Sequence, residues 1–333
     1  MSGTLLQARA VTKAFRLKGG LFAKSTSHIA VNAIDLELQP RERLGVVGES
    51  GSGKSTLGRL LLGLTNPTLG EVEFEGVLHA DRSSRDWSEF RRRTALVQQN
   101  PLSALNPQMT VGQQIAEALL VHHVTGRREA RDRAALMLEK VGLARSMVDR
   151  YPHQMSGGQR QRVVIARALI LDPKLVVFDE AVSALDVSVQ AQVVALLRQL
   201  WMELDLAYVF ITHDLRVVRH LVDRIAVMYL GRVVETGGIG EVYSWPKHPY
   251  TRALLASVPV MDASVRNIPP PIQGELDYSK MATGCAFRSR CPFAVERCEV
   301  ETPVLRDVAG QKVACHRAEE FPKQVFPVAA VAS

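Results

Sequence analysis

The 333-residue chain is long enough to bury a large core and predicts one large domain plus a smaller one. It is 47% hydrophobic and 23% charged, ordinary for a globular protein, with no apolar run of bilayer-spanning length. Its formal charge of +7 suits phosphates, anionic surfaces or nucleic acid, but aromatics make up only 6% and no basic stripe interleaves with them, so dispersed surface Lys and Arg is the favoured reading.

The N-terminus, Met1-Ser2-Gly3-Thr4, lacks the charged and apolar regions of a signal peptide, which predicts a cytosolic protein unless a partner holds it at a membrane. Leu5 to Leu38 reads as two strands, with Gly19-Gly20 and Lys24-Ser25-Thr26-Ser27 marking the turn between them. Leu44, Val46 and Val47 then form a short buried strand, and Leu57, Leu60, Leu61 and Leu64 recur at helical spacing. Between them Gly48-Glu49-Ser50-Gly51-Ser52-Gly53-Lys54-Ser55, followed by Thr56, fits G-x-x-x-x-G-K-[ST] at every fixed position. Strand, glycine turn and helix together make this a phosphate-binding loop rather than a chance glycine turn before Lys-Ser. The glycines let backbone N–H groups close around phosphates, and the helix N-terminus adds positive potential. Lys54 is placed to reach the β- and γ-phosphates of a nucleoside triphosphate, and the Ser55 hydroxyl to bind Mg²⁺.

Asn66-Pro67-Thr68 ends that helix, and Gly70 to Gly76 alternates as an exposed edge strand would. From about Ser88 to Ile170 the pattern is mostly helical and charged, broken at Pro101, Pro107, Gly126 and Pro152. Leu175–Phe178 and Ala207–Ile211 read as buried strands, so the chain predicts an α/β core with a helical insert. Asp179-Glu180 closes the first of these strands. Beside a phosphate loop, Asp179 suits coordination of Mg²⁺ and Glu180 suits the base that deprotonates a water in line with the γ-phosphate. Without Lys54 the bland reading, a solvated acidic pair, would prevail.

Near Trp245 the composition changes, and Arg266-Asn267-Ile268-Pro269-Pro270-Pro271 reads as a stiff linker to a tail that holds all four cysteines. Cys285, Cys291, Cys298 and Cys315 are separated by 5, 6 and 16 residues, without the C-x2-C pairs of common zinc modules. In a reducing cytosol such thiols are more often metal ligands than disulfides, and the candidates are zinc or an iron–sulfur cluster; four reduced structural cysteines are the alternative.

Met155-Ser156-Gly157-Gly158-Gln159-Arg160-Gln161-Arg162 opens a second helix with a Ser and two glycines, a further anion-binding N-terminus. This stretch resembles the Leu-Ser-Gly-Gly-Gln signature of the ATP-binding cassette family, with Met155 in place of Leu. The resemblance implies a cassette fold with a RecA-like core, an antiparallel β subdomain and a helical subdomain at about residues 100–165. It also implies that ATP is sandwiched between two subunits, so that Ser156, Gly157, Gly158 and Gln159 serve the neighbour's nucleotide. Val97-Gln98-Gln99-Asn100-Pro101 resembles the family's Q-loop, with Gln99 sensing Mg²⁺ and the attacking water. Ser183-Ala184-Leu185-Asp186 resembles the D-loop that crosses to the partner, and Ile211-Thr212-His213-Asp214 the switch whose His213 contacts the γ-phosphate. Phe15 stands where the family places the aromatic that stacks on adenine, although a Phe on a strand is commonly core. Ala181 departs from the family's usual proline.

Pro246 to Leu255, Asn100 to Pro107 and Ala184 to Gln192 are similar to dipeptide and oligopeptide importer ATPases, and this resemblance runs from about Leu5 to Arg317. It implies an ATP-binding domain over residues 1–243 and a peptide-transporter extension over 244–333. It also implies a 4Fe–4S cluster on Cys285, Cys291, Cys298 and Cys315, with zinc as the alternative. The implied partners are a second ATPase subunit (a paralogue or another copy), two integral membrane permeases and an extracytoplasmic solute-binding protein, with no nucleic acid. The place of action is the cytoplasmic face of the inner membrane, and the helical insert is the docking surface. The alternatives are an importer ATPase for another small solute such as nickel, or a non-transport cassette ATPase acting on nucleic acid or ribosomes.

Overall fold

The computed structural model describes residues 3–17, 26–78, 85–183, 185–257 and 283–323. The Gly19-Gly20 turn, the Arg266–Pro271 run and Ala184 lie outside the described residues. The strands are β1 (Leu6–Leu17), β2 (Thr26–Leu38), β3 (Arg43–Val47), β4 (Leu69–Phe74), β5 (Val77–Leu78) and β6 (Thr94–Val97), then β7 (Leu175–Asp179), β8 (Ala207–Thr212), β9 (Arg224–Tyr229), β10 (Arg232–Gly238), β11 (Arg306–Val308) and β12 (Gln311–Val313). The helices are α1 (Lys54–Leu61), α2 (Arg85–Arg93), α3 (Pro101–Ala104), α4 (Val111–Val121), α5 (Arg127–Lys140) and α6 (Gly157–Leu169), then α7 (Val187–Glu203), α8 (Leu215–Val218), α9 (Ile239–Ser244), α10 (Pro249–Ala256) and α11 (Arg297–Val300). No described helix is long and apolar enough to cross a membrane.

An antiparallel sheet has the order β2-β1-β4-β5, and the core sheet has the order β11-β12-β10-β9-β3-β8-β7-β6. Within the core sheet β9, β3, β8, β7 and β6 are parallel. Side chains alternate between the two faces of a strand, and here both faces are covered. Leu44, Val46, Val177, Val209 and Ile211 pack on one face with Leu57, Leu60 and Leu61 of α1 and the inner side of the antiparallel sheet. Val47, Val176, Phe178, Tyr208 and Phe210 pack on the other with α4 to α7. The α/β core with a helical insert is therefore present, with an antiparallel subdomain added to it.

Two expectations need correction. Leu64 is not part of the loop-bearing helix: α1 stops at Leu61, Gly63 takes a φ of +60°, and Leu64 is exposed. The Gly70–Gly76 strand is not an edge either, because β4 pairs with β1 on one side and β5 on the other. Its polar alternation reports one solvated face, which periodicity alone does not distinguish from an open edge.

The tail joins the core sheet rather than packing only on itself. β12 pairs antiparallel with β10, with Glu235 opposite Val313. Glu235 is fully buried, and its carboxyl oxygens accept from the Lys247 and His248 N–H groups at 2.7 and 3.1 Å. Lys247, equally buried, donates its ammonium to the Val308 and Ala309 carbonyls, which fixes the β11–β12 turn. Burial pushes the Glu235 carboxyl up from 4.5 to about 7 and the His248 imidazole down to about 3.

The raised Glu235 contributes stability that is complete below pH 4.5 and is lost as the pH rises through about 7. Buried neutral His248 acts in the opposite sense, but it is common to the wild type and to Glu235→Gln. Denaturation of both proteins across pH 4.5 to 8 should therefore show the wild type losing about 3 kcal/mol relative to the variant. A pH-independent difference would refute the buried, proton-holding carboxyl.

Candidate nucleotide site

Four adjacent parallel strands end at one place. β3 runs into Gly48, β8 into His213, β7 ends at Asp179, and β6 leads through Gln98 to Gln99. In an open parallel sheet the crevice beyond the carboxyl ends of the strands is where ligands bind. The sheet order thus assembles residues that the sequence scatters over more than a hundred positions.

The glycines of the loop are there for backbone reasons. Gly48 has a φ of +154°, and a Cβ on it would lie 2.2 Å from the Met228 carbonyl oxygen. Gly53 has a φ of +99°, and its Cβ would lie 2.1 Å from the Ala30 carbonyl oxygen. Neither position admits a side chain. The β9–β10 turn braces the loop, since the Gly231 N–H donates to the Ser52 carbonyl at 2.9 Å. Ser52 is buried behind the loop, Ser50 and Gly51 form its exposed rim, and Thr56 is half-buried on α1.

Lys54 is only 4% exposed, and its ammonium donates to the Gly48 and Glu49 carbonyls at 2.8 Å each. Burial lowers its pKa, while Glu180, Asp179 and Glu49 oppose that shift. The Ser55 hydroxyl donates to Asp179 Oδ1 at 2.7 Å, joining the start of α1 to the end of β7. Burial raises the Asp179 carboxyl, and the Ser55 bond counters it. A hydroxyl and a buried carboxylate meeting at a phosphate loop are hard oxygen donors of the kind that suits Mg²⁺.

Glu180 has a φ of +50°, left-handed for a residue with a long side chain, and its N–H donates to the Ile211 carbonyl at 2.9 Å. Its Oε2 accepts from Gln99 Nε2 at 3.0 Å, and His213 Nδ1 lies 3.5 Å from its Oε1. The Ser183 hydroxyl donates to the Glu180 carbonyl at 2.9 Å. Gln99, Glu180 and His213 are thus brought together, with the Gln99 and His213 side chains open to solvent. Phe15 is exposed at 41% on β1, with the Lys13 ammonium 5.3 Å from its ring centroid. It is not a core aromatic.

Ser156 to Gln159 sit elsewhere. Ser156 caps α6, accepting from the Gln159 N–H at 3.3 Å while the Gln159 side chain accepts from the Ser156 N–H at 3.0 Å. Gly157 is exposed, whereas Gly158 is needed for packing, since a Cβ there would meet Val189 at 2.5 Å. That contact sets α6 against the start of α7, which Asp186 caps by accepting from the Val189 N–H at 3.0 Å. The helices α1 and α6 pack on opposite faces of the core sheet.

The metal site expected at the cysteines is overturned. Among the described residues no group of three or more His, Cys, Asp or Glu is disposed to hold a metal ion, so neither the 4Fe–4S cluster nor zinc is assigned. Cys285, Cys291, Cys298 and Cys315 are free thiols that line a cavity of about 20 Å³ beside Phe287 and Phe293. Burial pushes Cys285 up, Cys291 to about 11 and Cys315 to about 12. Sequence spacing detected that the cysteines cluster but carries no information on donor geometry.

Sequence reasoning missed Tyr250 and Arg290, which both reach the phosphate loop. The Tyr250 hydroxyl accepts from the Glu49 N–H at 2.8 Å, and Arg290 forms a bidentate pair with the Glu49 carboxylate at 2.8 and 3.0 Å. These partners are 201 and 241 positions away in the chain, and nothing local tells that they reach Glu49.

Residues 31–183 match the ABC transporter family, and residues 234–298 match the oligopeptide/dipeptide transporter C-terminal region. The chain belongs to the ABC transporter family as an ATPase subunit. Among its relatives, the di/tripeptide transport ATP-binding protein DppF of Pseudomonas aeruginosa is 45% identical over 96% of this chain and 99% of its own length. The oligopeptide transport ATP-binding protein OppF of Salmonella typhimurium is 48% identical over 87% of this chain and 88% of its own. A cassette solved as a dimer in a post-hydrolysis state with ADP and Pi superposes with a TM-score of 0.62 and 30% identity, over 70% of this chain and 98% of that one.

The loop geometry predicts a sharp contrast between two glycines. Gly53→Ala should destabilise the protein by about 3 kcal/mol and abolish ATP binding, through a forbidden φ and a backbone clash. Gly126→Ala, whose Cβ meets nothing within 4 Å, should leave both near wild type. Denaturant titration and equilibrium ATP binding measure the two outcomes.

Proposed function

We propose that this chain is the ATP-hydrolysing subunit that powers import of dipeptides or oligopeptides across the cytoplasmic membrane. The observation that carries this reading is the meeting of Gln99, Glu180 and His213 beside Ser55 and Asp179, in a chain whose residues 234–298 match the peptide-transporter C-terminal region. The names of its relatives, which specify di/tripeptide and oligopeptide transport, favour peptides over nickel or another small solute.

In this reading the N–H groups of Gly48 to Ser55 and the start of α1 hold the phosphates, and Lys54 exchanges its two loop carbonyls for β- and γ-phosphate oxygens. Ser55, Asp179 and Gln99 would hold Mg²⁺, which would neutralise phosphate charge. Glu180 accepts a proton from the attacking water as its oxygen bonds to the γ-phosphorus. The bond from that phosphorus to the bridging oxygen breaks, leaving ADP and phosphate. Gln99 steadies the Glu180 carboxylate at 3.0 Å, and His213 presents its imidazole to the γ-phosphate from the other side of Glu180. Phe15 offers an exposed ring for adenine to stack on.

The site is completed by a second ATPase subunit, a paralogue or another copy, whose Ser156, Gly157, Gly158 and Gln159 approach the γ-phosphate with Asp186 beside them. The opposite-face placement of α1 and α6 supports this pairing, as does the solved dimer of a related cassette with ADP and Pi. Residues 1–243 act as the ATP-binding domain and 244–333 as the extension. Two permease subunits carry the translocation path, the helical insert at about residues 100–165 docks on them at the cytoplasmic face, and an extracytoplasmic solute-binding protein delivers the peptide. Closure of the ATPase pair on ATP shifts the permeases between their two facing states.

Glu180→Gln should retain ATP binding and lose at least about 10²-fold in turnover, the scale of a general base. Near-wild-type steady-state hydrolysis by that variant would sink the assignment. In cells, deleting this chain should abolish uptake of labelled dipeptides or oligopeptides, and Glu180→Gln should fail to restore it. Intact peptide uptake with lost nickel uptake would transfer the function to another solute.

A further inference from the structure

Glu49, the second residue of the phosphate loop, is gripped at each of its polar groups. Its N–H donates to the Tyr250 hydroxyl, its carbonyl accepts from Lys54, and its carboxylate accepts two bonds from Arg290. The grip is built into the packed interior. Tyr250 is fully buried, and the Arg290 side chain is 7% exposed against 27% for Glu49. Behind them Tyr229, Tyr250 and Phe287 form an aromatic wall with ring centroids 4.7 to 5.4 Å apart, and the Arg290 guanidinium lies 5.8 Å from the Tyr229 ring. A two-pronged guanidinium–carboxylate pair with one partner buried resists solvent screening and fixes geometry as well as charge.

The placement poses an electrostatic problem and its answer. A carboxylate on a loop that closes around phosphates opposes the negative charge it must hold, and Arg290 cancels that charge at hydrogen-bond distance. We propose that Arg290 is a positioning residue of the ATP site, setting nucleotide affinity by fixing Glu49 and neutralising it, so that the C-terminal region tunes the phosphate loop. This inference rests on the reading of Gly48–Ser55 as the ATP site. The Arg290 guanidinium also donates to the Tyr229 hydroxyl at 3.5 Å, which ties it to the aromatic wall.

The test is equilibrium binding of a fluorescent ATP analogue with Mg²⁺ to the full chain, with thermal melts in parallel. Arg290→Met should weaken binding roughly tenfold, the scale of stranding one member of a partly buried ion pair. Glu49→Gln, which leaves the Arg290 charge facing the phosphates, should tighten binding about threefold. The double variant should return to within about twofold of wild type, the signature of coupled charges. A merely structural brace predicts that both single variants weaken binding and that the double variant recovers nothing, and that result overturns the proposal. If Arg290→Met fails to melt cooperatively, the sign of the Glu49→Gln effect decides, weaker binding counting against it. Lys54→Ala separates the two readings. If it binds as wild type does, the loop is not the ATP site; if it loses binding while Arg290→Met changes nothing, only the present inference falls.

Discussion

The buried ammonium of Lys54 is the constraint around which the site is arranged. A cation withdrawn from water is costly unless its hydrogens are satisfied and countercharge is near. Here the Gly48 and Glu49 carbonyls satisfy it directly, and Asp179, Glu180 and Glu49 supply the charge. Carbonyls can turn inward in this way only if the loop adopts backbone angles that other residues avoid, which accounts for the positive φ of Gly48 and Gly53. The loop is thus folded around its own lysine.

The core sheet converts that local arrangement into a reactive one. Parallel strands share a direction, so β3, β8, β7 and β6 deliver the loop, His213, Asp179-Glu180 and Gln99 at the same edge. The left-handed turn at Glu180 is the price of placing its carboxylate between Gln99 and His213, and the bond from its N–H to Ile211 holds it there. Val47, Phe178 and Tyr208 on one face and Val46, Val177 and Val209 on the other keep the strands in register.

Much of this was legible in the sequence because it is written in local patterns. The loop, the Asp179-Glu180 strand end and the Ser156 cap each occupy fewer than ten consecutive residues, and backbone geometry alone dictates their residue types. Their convergence was legible only through resemblance, since nothing in the spacing of Gln99, Glu180 and His213 states that their strands are neighbours. Where the reading failed, the missing information was non-local. Leu64 fits a helical period, but Gly63 ends the helix; β4 alternates, but gains β5 as a partner. The four cysteines line one small cavity, yet they do so as free thiols beside phenylalanines. Tyr250 lies in a stretch read only for its resemblance and Arg290 was assigned no role, and long-range packing brings both to Glu49.

The two helix N-termini make the last step. α1 and α6 each point an N-terminus that favours anions, and a γ-phosphate has oxygens enough to meet both. Within one chain the core sheet lies between their packed faces, and no small movement of a close-packed interior would carry one helix through to the other. Gly158 pressed against Val189 ties α6 to the start of α7, whose cap is Asp186. In the proposed pairing the two helix ends come from different subunits, and the loop that Lys54 organises is half of a site that pairing completes.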